Sequence, residues 1–227
     1  ESVRRDFISN LSHELRTPVS VIRANSEALI DGALEDQDAA KNFSKAILKN
    51  SEKLTYLLSD ILNLATIESG EYSLDIQDMN PKNLIEEIVK NISEQFNLVS
   101  IKVDVDDKLL VKMDPQAFEQ VLTNLLENAA KYCSKDIETI VKIRSRKIGS
   151  LVRFEVEDNG IGISPEDRER VFERFFRAQN KNTLSTSGTG LGLSIVKNLV
   201  NLMGGSVGNE QAHPEGTIFW FSLNSSN

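Results

Sequence analysis

The sequence predicts two domains: an α-helical hairpin that dimerises into a four-helix bundle, followed by a two-layer α+β sandwich. The chain has 227 residues, of which 40% are hydrophobic, and this suits one large domain or two small ones with ordinary packed cores. Apolar residues recur every three or four positions up to about residue 69, whereas from Gly70 onward alternating and helical patterns are mixed. A change of hydrophobic period in mid-chain indicates a change of architecture.

Two stripes of apolar or helix-compatible residues predict the hairpin. The spacing of each stripe is that of a heptad on one helix face, and Gly32 ends the first helix after about eight turns. The acidic stretch at 34–38 predicts a turn whose carboxylates suit the start of the second helix. Because a lone hairpin leaves much of each stripe in water, we expect a homodimer through residues 1–69. The stripes are Ile8, Leu11, Leu15, Pro18, Ile22 and Leu29, then Phe43, Ile47, Leu54, Leu57, Ile61 and Leu64.

The remaining residues predict a mixed α+β domain, which we place at 70–227. Asp114-Pro115 opens a helix, since proline is favoured in the first turn, and two alternating runs around Gly149 predict a hairpin. A polar linker rich in Asn, Ser and Thr covers 179–187. The predicted strands are 72–76, 101–105, 139–146, 151–156, a segment near Ser206 and 218–223, and the predicted helices are 81–96, 114–131, 171–176 and 191–203.

Composition excludes several classes of function. The chain carries 26 Lys and Arg against 34 Asp and Glu, a formal net charge of −8, which argues against direct binding of nucleic acid. No apolar run approaches the roughly 18 residues of a membrane span, and no signal peptide is visible. Cys133 is the only cysteine, so no disulfide forms within the chain. His13 and His213 are the only histidines, which rules out a multi-histidine metal site within one chain.

The segment around His13 is the first candidate for chemistry. On the heptad frame His13 lies outside the buried seam, Glu14 follows it, and Thr17 is one turn along the same face. A carboxylate can hold one ring nitrogen protonated and leave the other free to attack. The alternative is an ordinary solvated histidine. A His-Glu-x-x-His zinc motif fails because Thr17 stands at the second histidine position, and Pro18 should loosen the helix just after His13.

Two glycine-rich turns and one helix face are the second candidate. One turn, at 157–163, follows a strand, and the other, at 188–193, leads into a helix whose first N–H groups could bind phosphate. Neither turn has the spacing of a Walker loop or a dinucleotide fingerprint, and each could be a plain turn. Asn124, Asn128 and Lys131 share one helix face that suits Mg²⁺ and triphosphate oxygens, or is simply solvated.

Taken together, these motifs resemble a known family. Over about residues 3–223 the chain is similar to the transmitter core of sensor histidine kinases of two-component systems, in the subgroup with a His-Glu-x-x-Thr dimerisation helix. The resemblance implies a HisKA dimerisation domain and the GHKL, or Bergerat, ATP-binding fold. It rests on five ordered motifs that look like the H, N, G1, F and G2 boxes: His13-Glu-Leu-Arg-Thr-Pro, Asn124-Leu-Leu-Glu-Asn-Ala-Ala-Lys, Asp158-Asn-Gly-Ile-Gly, Phe172-Glu-Arg-Phe-Phe-Arg and Gly188-Thr-Gly-Leu-Gly-Leu.

The resemblance also implies roles for individual residues. His13 would accept the γ-phosphoryl group of ATP with Glu14 as base, and Thr17 would orient a water that dephosphorylates the regulator; Arg16 completes the catalytic segment. Asp158 would recognise the adenine amino group. Asn128 would serve Mg²⁺, with Asn124 and Glu127 as further candidates. The remaining nucleotide contacts would be Asn124, Lys131, Tyr132, Gly160, Gly162, Arg177, Gly188, Gly190, Leu191, Gly192 and Thr217, with 179–187 as a lid.

We therefore expect an autophosphorylating histidine kinase core that passes phosphate to an aspartate of a response regulator and also dephosphorylates that regulator. One alternative keeps the ATP fold in a GHKL-type ATPase or serine kinase, and another is a non-catalytic module that binds the regulator. The expected location is cytoplasmic, with the parent protein anchored in a bacterial inner membrane through upstream segments. The stimulus, the regulator and the choice between phosphorylation within one subunit or across the dimer stay open.

Overall fold

A computed structural model describes residues 2–96, 99–133, 138–178 and 188–226. The chain divides into two compact units, residues 1–65 and 66–227. Within the described residues, no helix is both long enough and apolar enough to cross a membrane. The predicted lid at 179–187 lies outside the described residues.

The first unit is built from the predicted helical hairpin. Helix α1 spans Ser2–Ile30 and helix α2 spans Gln37–Glu68, with a short 3₁₀ turn between them at Ala33–Glu35. The Asp36 carboxylate accepts the backbone N–H groups of Asp38 and Ala39 at 2.9 and 3.1 Å. This is the acidic helix start that the sequence predicts, because a side-chain oxygen satisfies N–H groups that have no partner within the helix.

Pro18 lies inside α1 and is buried. Because proline has no backbone N–H, the carbonyl of Glu14 loses its partner in the helical ladder. The helix therefore continues with one hydrogen bond fewer, directly beside His13.

The described residues of the second unit form two sheets. Strands β1 (Gln77–Met79) and β3 (Val111–Met113) form an antiparallel pair. The other five strands are β2 (Val99–Asp104), β4 (Thr139–Ile148), β5 (Leu151–Asp158), β6 (Ser206–Gln211) and β7 (Thr217–Asn224). They form a mixed sheet in the order β2-β4-β5-β7-β6, in which only β2 and β4 run parallel.

A helical layer completes the predicted two-layer sandwich. The core is centred on three phenylalanine rings whose centroids lie 5.0–5.7 Å apart. They are Phe118 of the central helix α4 (Pro115–Lys131), Phe154 of β5 and Phe221 of β7. All three are essentially inaccessible to solvent, so helix and sheet are fixed against each other by close aromatic contacts. The helices are α3 (Lys82–Gln95), α4 (Pro115–Lys131) and α5 (Gly192–Leu202).

Two predicted elements are wrong. Residues 72–76 are not a strand, because the Asp75 N–H donates to the Asp114 carboxylate at 2.7 Å and the Tyr72 N–H donates to the Thr66 carbonyl. Residues 171–176 are not an α-helix; only a 3₁₀ turn forms, at Arg170–Phe172. The chain turns away there because Phe175 adopts a positive φ of 58° and donates its N–H to the Gly190 carbonyl at 2.8 Å.

Candidate active site

His13 is exposed on α1, as its heptad position predicts. Its neighbours Leu11 and Leu15 are half-buried and Pro18 is fully buried, so the side of the helix away from His13 carries the packing. The imidazole is consequently open to an incoming reactant. Arg16 is exposed on the same helix.

Glu14 and Thr17 each contact another part of the hairpin through their side chains. The Glu14 carboxylate faces α2, where its Oε2 lies 3.6 Å from the Nζ of Lys53. The Thr17 hydroxyl donates to the backbone carbonyl of His13 at 3.3 Å and is itself exposed. The segment thus offers an open imidazole, an ion-paired carboxylate and a hydroxyl held on the His13 turn.

Asp158 is a buried carboxylate at the end of β5. Its Oδ1 accepts two backbone N–H groups, from Gly160 at 2.8 Å and from Thr217 at 3.1 Å. Burial raises the pKa of Asp158 to about 6, although both backbone N–H groups favour the charged form and act against the rise. No hydrogen bond of the described residues uses Oδ2, so this oxygen can accept a donor from a ligand.

Two glycines let the backbone approach Asp158 closely. A Cβ at Gly160 would lie 2.8 Å from both the Asp158 Oδ1 and the Tyr132 carbonyl oxygen, and a Cβ at Gly216 would lie 1.9 Å from the Asp158 carbonyl oxygen. Gly216 also has a φ of +115°. Sequence reasoning missed Gly216, although a glycine directly before Thr217 is a visible signal of such a close approach.

The second glycine turn leads into α5. Gly190 has a φ of +72°, and a Cβ there would lie 2.8 Å from the Cα of Phe175. A Cβ at Gly192 would lie 2.7 Å from the Asn124 Oδ1, which shows that α4 reaches the start of α5. Leu191, between these glycines, is fully buried and anchors the turn. The N-terminus of α5 carries the positive end of the helix dipole, which favours bound phosphate.

Helix α4 connects the two glycine turns. The Tyr132 carbonyl, at its C-terminal cap, accepts the Ile161 N–H at 3.2 Å, and the Tyr132 hydroxyl lies 3.9 Å from the position of a Cβ at Gly188. The structure therefore gathers most of the predicted nucleotide residues into one cluster. These are Asn124, Tyr132, Asp158, Gly160, Gly188, Gly190, Leu191, Gly192 and Thr217.

The predicted nucleotide-binding residues that remain are Asn128, Lys131, Gly162 and Arg177. Lys131 is not free to meet phosphate in this structure, because its Nζ donates to the Glu127 Oε2 at 2.6 Å. Asn128 is half-buried on the same helix. Gly162 has a φ of +72° in the turn that follows Asp158, and Arg177 is half-buried at the edge of the described residues.

The donor set on α4 fits Mg²⁺ only if a nucleotide supplies further oxygens. Among the described residues, no group of three or more His, Cys, Asp and Glu side chains is arranged to hold a metal. The amide oxygens of Asn124 and Asn128 and the carboxylate of Glu127 are hard oxygen donors of the kind that Mg²⁺ prefers, and Mg²⁺ commonly binds to few protein groups together with phosphate oxygens.

Comparison with known families gives two matches along the chain. Residues 113–227 match the family model of the histidine kinase-, DNA gyrase B- and HSP90-like ATPases. Residues 3–70 match the model of the His Kinase A (phospho-acceptor) domain. One match spans nearly all of the first unit, and the other covers residues 113–227 of the second.

Individual relatives agree with the family models. The chain is 35% identical over 223 residues to the sensor histidine kinase WalK of Bacillus subtilis, which covers 97% of this chain and 36% of WalK. It resembles the structure of the Acinetobacter baumannii histidine kinase AdeS with a TM-score of 0.73 and 25% identity, over 95% of this chain and 98% of that one. The histidine kinase ThkA, in a complex with the response regulator protein TrrA, shares the fold with a TM-score of 0.79 at 24% identity, over 99% of this chain and 63% of that one. The chain spans only about a third of the length of WalK.

Proposed function

We propose that this chain, which belongs to the sensor histidine kinases of two-component systems, is the catalytic core of such a kinase. The proposed reaction is ATP-dependent phosphorylation of His13, followed by transfer of the phosphoryl group to an aspartate of a response regulator. One observation carries the proposal: the same chain contains both an exposed imidazole, His13, next to Glu14 in sequence and a buried carboxylate, Asp158. Glycines surround Asp158, and its free oxygen can accept the adenine amino group.

The proposed phosphorylation needs mainly positioning and neutralisation of charge. One ring nitrogen of His13 attacks the γ-phosphorus, the N–P bond forms, and the bond to the bridging oxygen breaks so that ADP leaves with the electron pair. The other ring nitrogen donates its N–H to Glu14, which stabilises the positive charge that grows on the ring.

The proposed nucleotide site uses the cluster around Asp158. The unused Asp158 Oδ2 accepts the adenine amino group, and Tyr132 flanks the nucleotide. The N-terminus of α5 and its glycines bind phosphate oxygens, while Lys131 exchanges Glu127 for phosphate and Arg177 adds positive charge. Mg²⁺, held by Asn128 with Asn124 and Glu127, would supply further neutralisation of the triphosphate.

Three further proposals concern the domain bounds, the oligomeric state and Thr17. We place the dimerisation and phosphotransfer domain at 1–69 and the catalytic ATP-binding domain at 70–227. Apolar side chains of the hairpin that are more than half exposed support a homodimer, since a four-helix bundle would cover them; they include Val19, Leu48, Tyr56, Leu58 and Leu62. We also propose that Thr17 orients a water for dephosphorylation of the regulator; its exposure on the His13 turn supports this role.

A single labelling experiment tests the kinase proposal. The chain is incubated with Mg-ATP labelled at the γ-phosphate, and acid-labile and acid-stable phosphate on the protein are measured separately for the wild type and for His13→Gln, together with ATP binding. We expect label on the wild type and none on His13→Gln, which should still bind ATP. Acid-stable label that persists in His13→Gln would point to the serine kinase alternative, and ATP binding without any label would favour an ATPase or a non-catalytic module.

A further inference from the structure

Lys53 is the one lysine of α2 that turns toward α1. The other three lysines of this helix, Lys41, Lys45 and Lys49, are exposed, whereas the Lys53 side chain is only 26% exposed. Its Nζ lies 3.6 Å from the Oε2 of Glu14, whose side chain is 29% exposed. The ion pair therefore joins the two helices of the hairpin at the residue next to His13.

This ion pair decides where the Glu14 carboxylate lies. Adjacent residues on a helix do not face each other, so the backbone by itself does not bring Glu14 to the His13 ring. A carboxylate that is mostly withdrawn from water requires a counter-charge or hydrogen bonds, and Lys53 supplies the charge. At 3.6 Å the contact is longer than a hydrogen bond, so it restrains the carboxylate and leaves its lone pairs available.

We propose that Lys53 is a positioning residue for the phospho-acceptor site. Its ammonium holds the Glu14 carboxylate against the hairpin in one orientation, so that the carboxylate can receive the N–H of the His13 ring while the other ring nitrogen attacks phosphorus. This inference rests on the proposed function, and it adds to it a residue outside every sequence motif that suggested that function.

The kinetic test uses the full chain and two controls, one that keeps the positive charge at residue 53 and one that removes a positive charge elsewhere on α2. We expect Lys53→Met to lower the rate constant of autophosphorylation about tenfold, in line with losing the charge-assisted hydrogen bond that the His13 ring donates to Glu14 in the proposed reaction, with an unchanged KM for ATP. Lys53→Arg should stay within about twofold of the wild type, because it restores the cation. Lys49→Met, which removes the same charge one turn away, should have no effect; Lys49 forms no ion pair with any described residue.

A double-mutant cycle separates positioning from a general effect on folding. In a Glu14→Gln background the carboxylate is absent, so Lys53→Met should cause no further loss. A second, equally large loss in that background, or a higher KM in Lys53→Met, would overturn the proposal and assign Lys53 a structural role.

A measurement without ATP distinguishes failure of this proposal from failure of the proposed function. His13 and His213 are the only histidines, so in a His213→Gln background the carbethoxylation rate with diethyl pyrocarbonate reports His13 alone. We expect this rate to fall in Lys53→Met and Glu14→Gln to the same level, and to fall no further when both changes are combined. If the carbethoxylation rates follow this pattern but labelled ATP does not phosphorylate the chain, Lys53 positions Glu14 and the kinase proposal is wrong. If labelled ATP phosphorylates the chain but the rates do not follow this pattern, the Lys53 proposal is wrong.

Discussion

The substitution Asp158→Asn should stabilise the second unit at neutral pH while weakening ATP binding. Asp158 is 7% exposed, and burial raises its pKa to about 6. The introduced amide would keep an oxygen that accepts the N–H groups of Gly160 and Thr217, but it would carry no charge to be desolvated. The change therefore removes the energetic cost of a buried charge and preserves the local hydrogen bonds.

The magnitude and the sign follow from the pKa of Asp158. A rise from the ordinary value of 3.8 to about 6, at 1.36 kcal/mol per pH unit, corresponds to about 3 kcal/mol. Because the folded state holds the proton more tightly than the unfolded state, the wild type is most stable, relative to the variant, below pH 3.8. It loses that stability as the pH rises through about 6. Asp158→Asn should match the wild type near pH 4 and exceed it by up to about 3 kcal/mol above pH 7.

The assay is urea unfolding followed by tryptophan fluorescence between pH 4 and pH 8. Trp220 is the only tryptophan, and it pairs with Glu155 across β7 and β5, so its signal reports the unit that contains Asp158. Binding of ATP is measured on the same samples. Replacing Oδ2 by an N–H donor opposite the adenine amino group should weaken binding by tenfold or more.

Glu157→Gln provides a control of opposite sign in the adjacent residue. Burial by itself would raise the pKa of Glu157, but a hydrogen bond from Lys142 and the charge of Arg144 hold it below its usual range. That stability is present above the unfolded pKa and is lost as the pH falls, so Glu157→Gln should destabilise at pH 7 and have little effect in acid. A stability difference between Asp158→Asn and the wild type that is the same at every pH, or a wild type that is the more stable at pH 8, would refute the reasoning.

Three more predictions concern single side chains. Thr17→Ala should leave autophosphorylation intact and slow dephosphorylation of the regulator, and equal loss of both activities in a radiolabel assay would contradict the role of Thr17. Gly190→Ala should weaken ATP binding and destabilise the second unit by about 1–3 kcal/mol, because of its positive φ and the 2.8 Å approach to the Cα of Phe175; an unchanged urea midpoint and ATP affinity would show that the turn relaxes freely. Leu57→Ala should lower the free energy of unfolding of the hairpin by about 2–5 kcal/mol, since Leu57 is fully buried. Thermal unfolding followed by helical circular dichroism measures this, and an unchanged midpoint would contradict it.

The sequence predicted the elements whose information is local. Heptad spacing is visible within one helix, so α1 and α2 could be predicted from their stripes, and the N-cap of α4 at Asp114 is visible within three residues. The exposure of His13 followed from the same frame, because the stripe fixes which face of the helix is buried. The two-layer character of the second unit followed from the alternation of strand and helix periods.

Elements that depend on distant residues were predicted wrongly or missed. The strand predicted at 72–76 failed because its backbone is held by Asp114, which lies 39 residues from Asp75. The helix predicted at 171–176 failed because Phe175 bonds to Gly190. The short strand β3 at Val111–Met113 was missed, since three residues carry too little periodicity to be recognised.

The sequence by itself determined the periodicities, the ordered motifs and hence the kind of site that this chain contains. Only the tertiary structure decided the strand order, the close approach of Gly216 to Asp158, the burial that raises the pKa of Asp158 and the ion pair between Lys53 and Glu14. The physical reason is that periodicity and capping are interactions within a few residues, whereas burial and ion pairing depend on which distant segments the fold brings together.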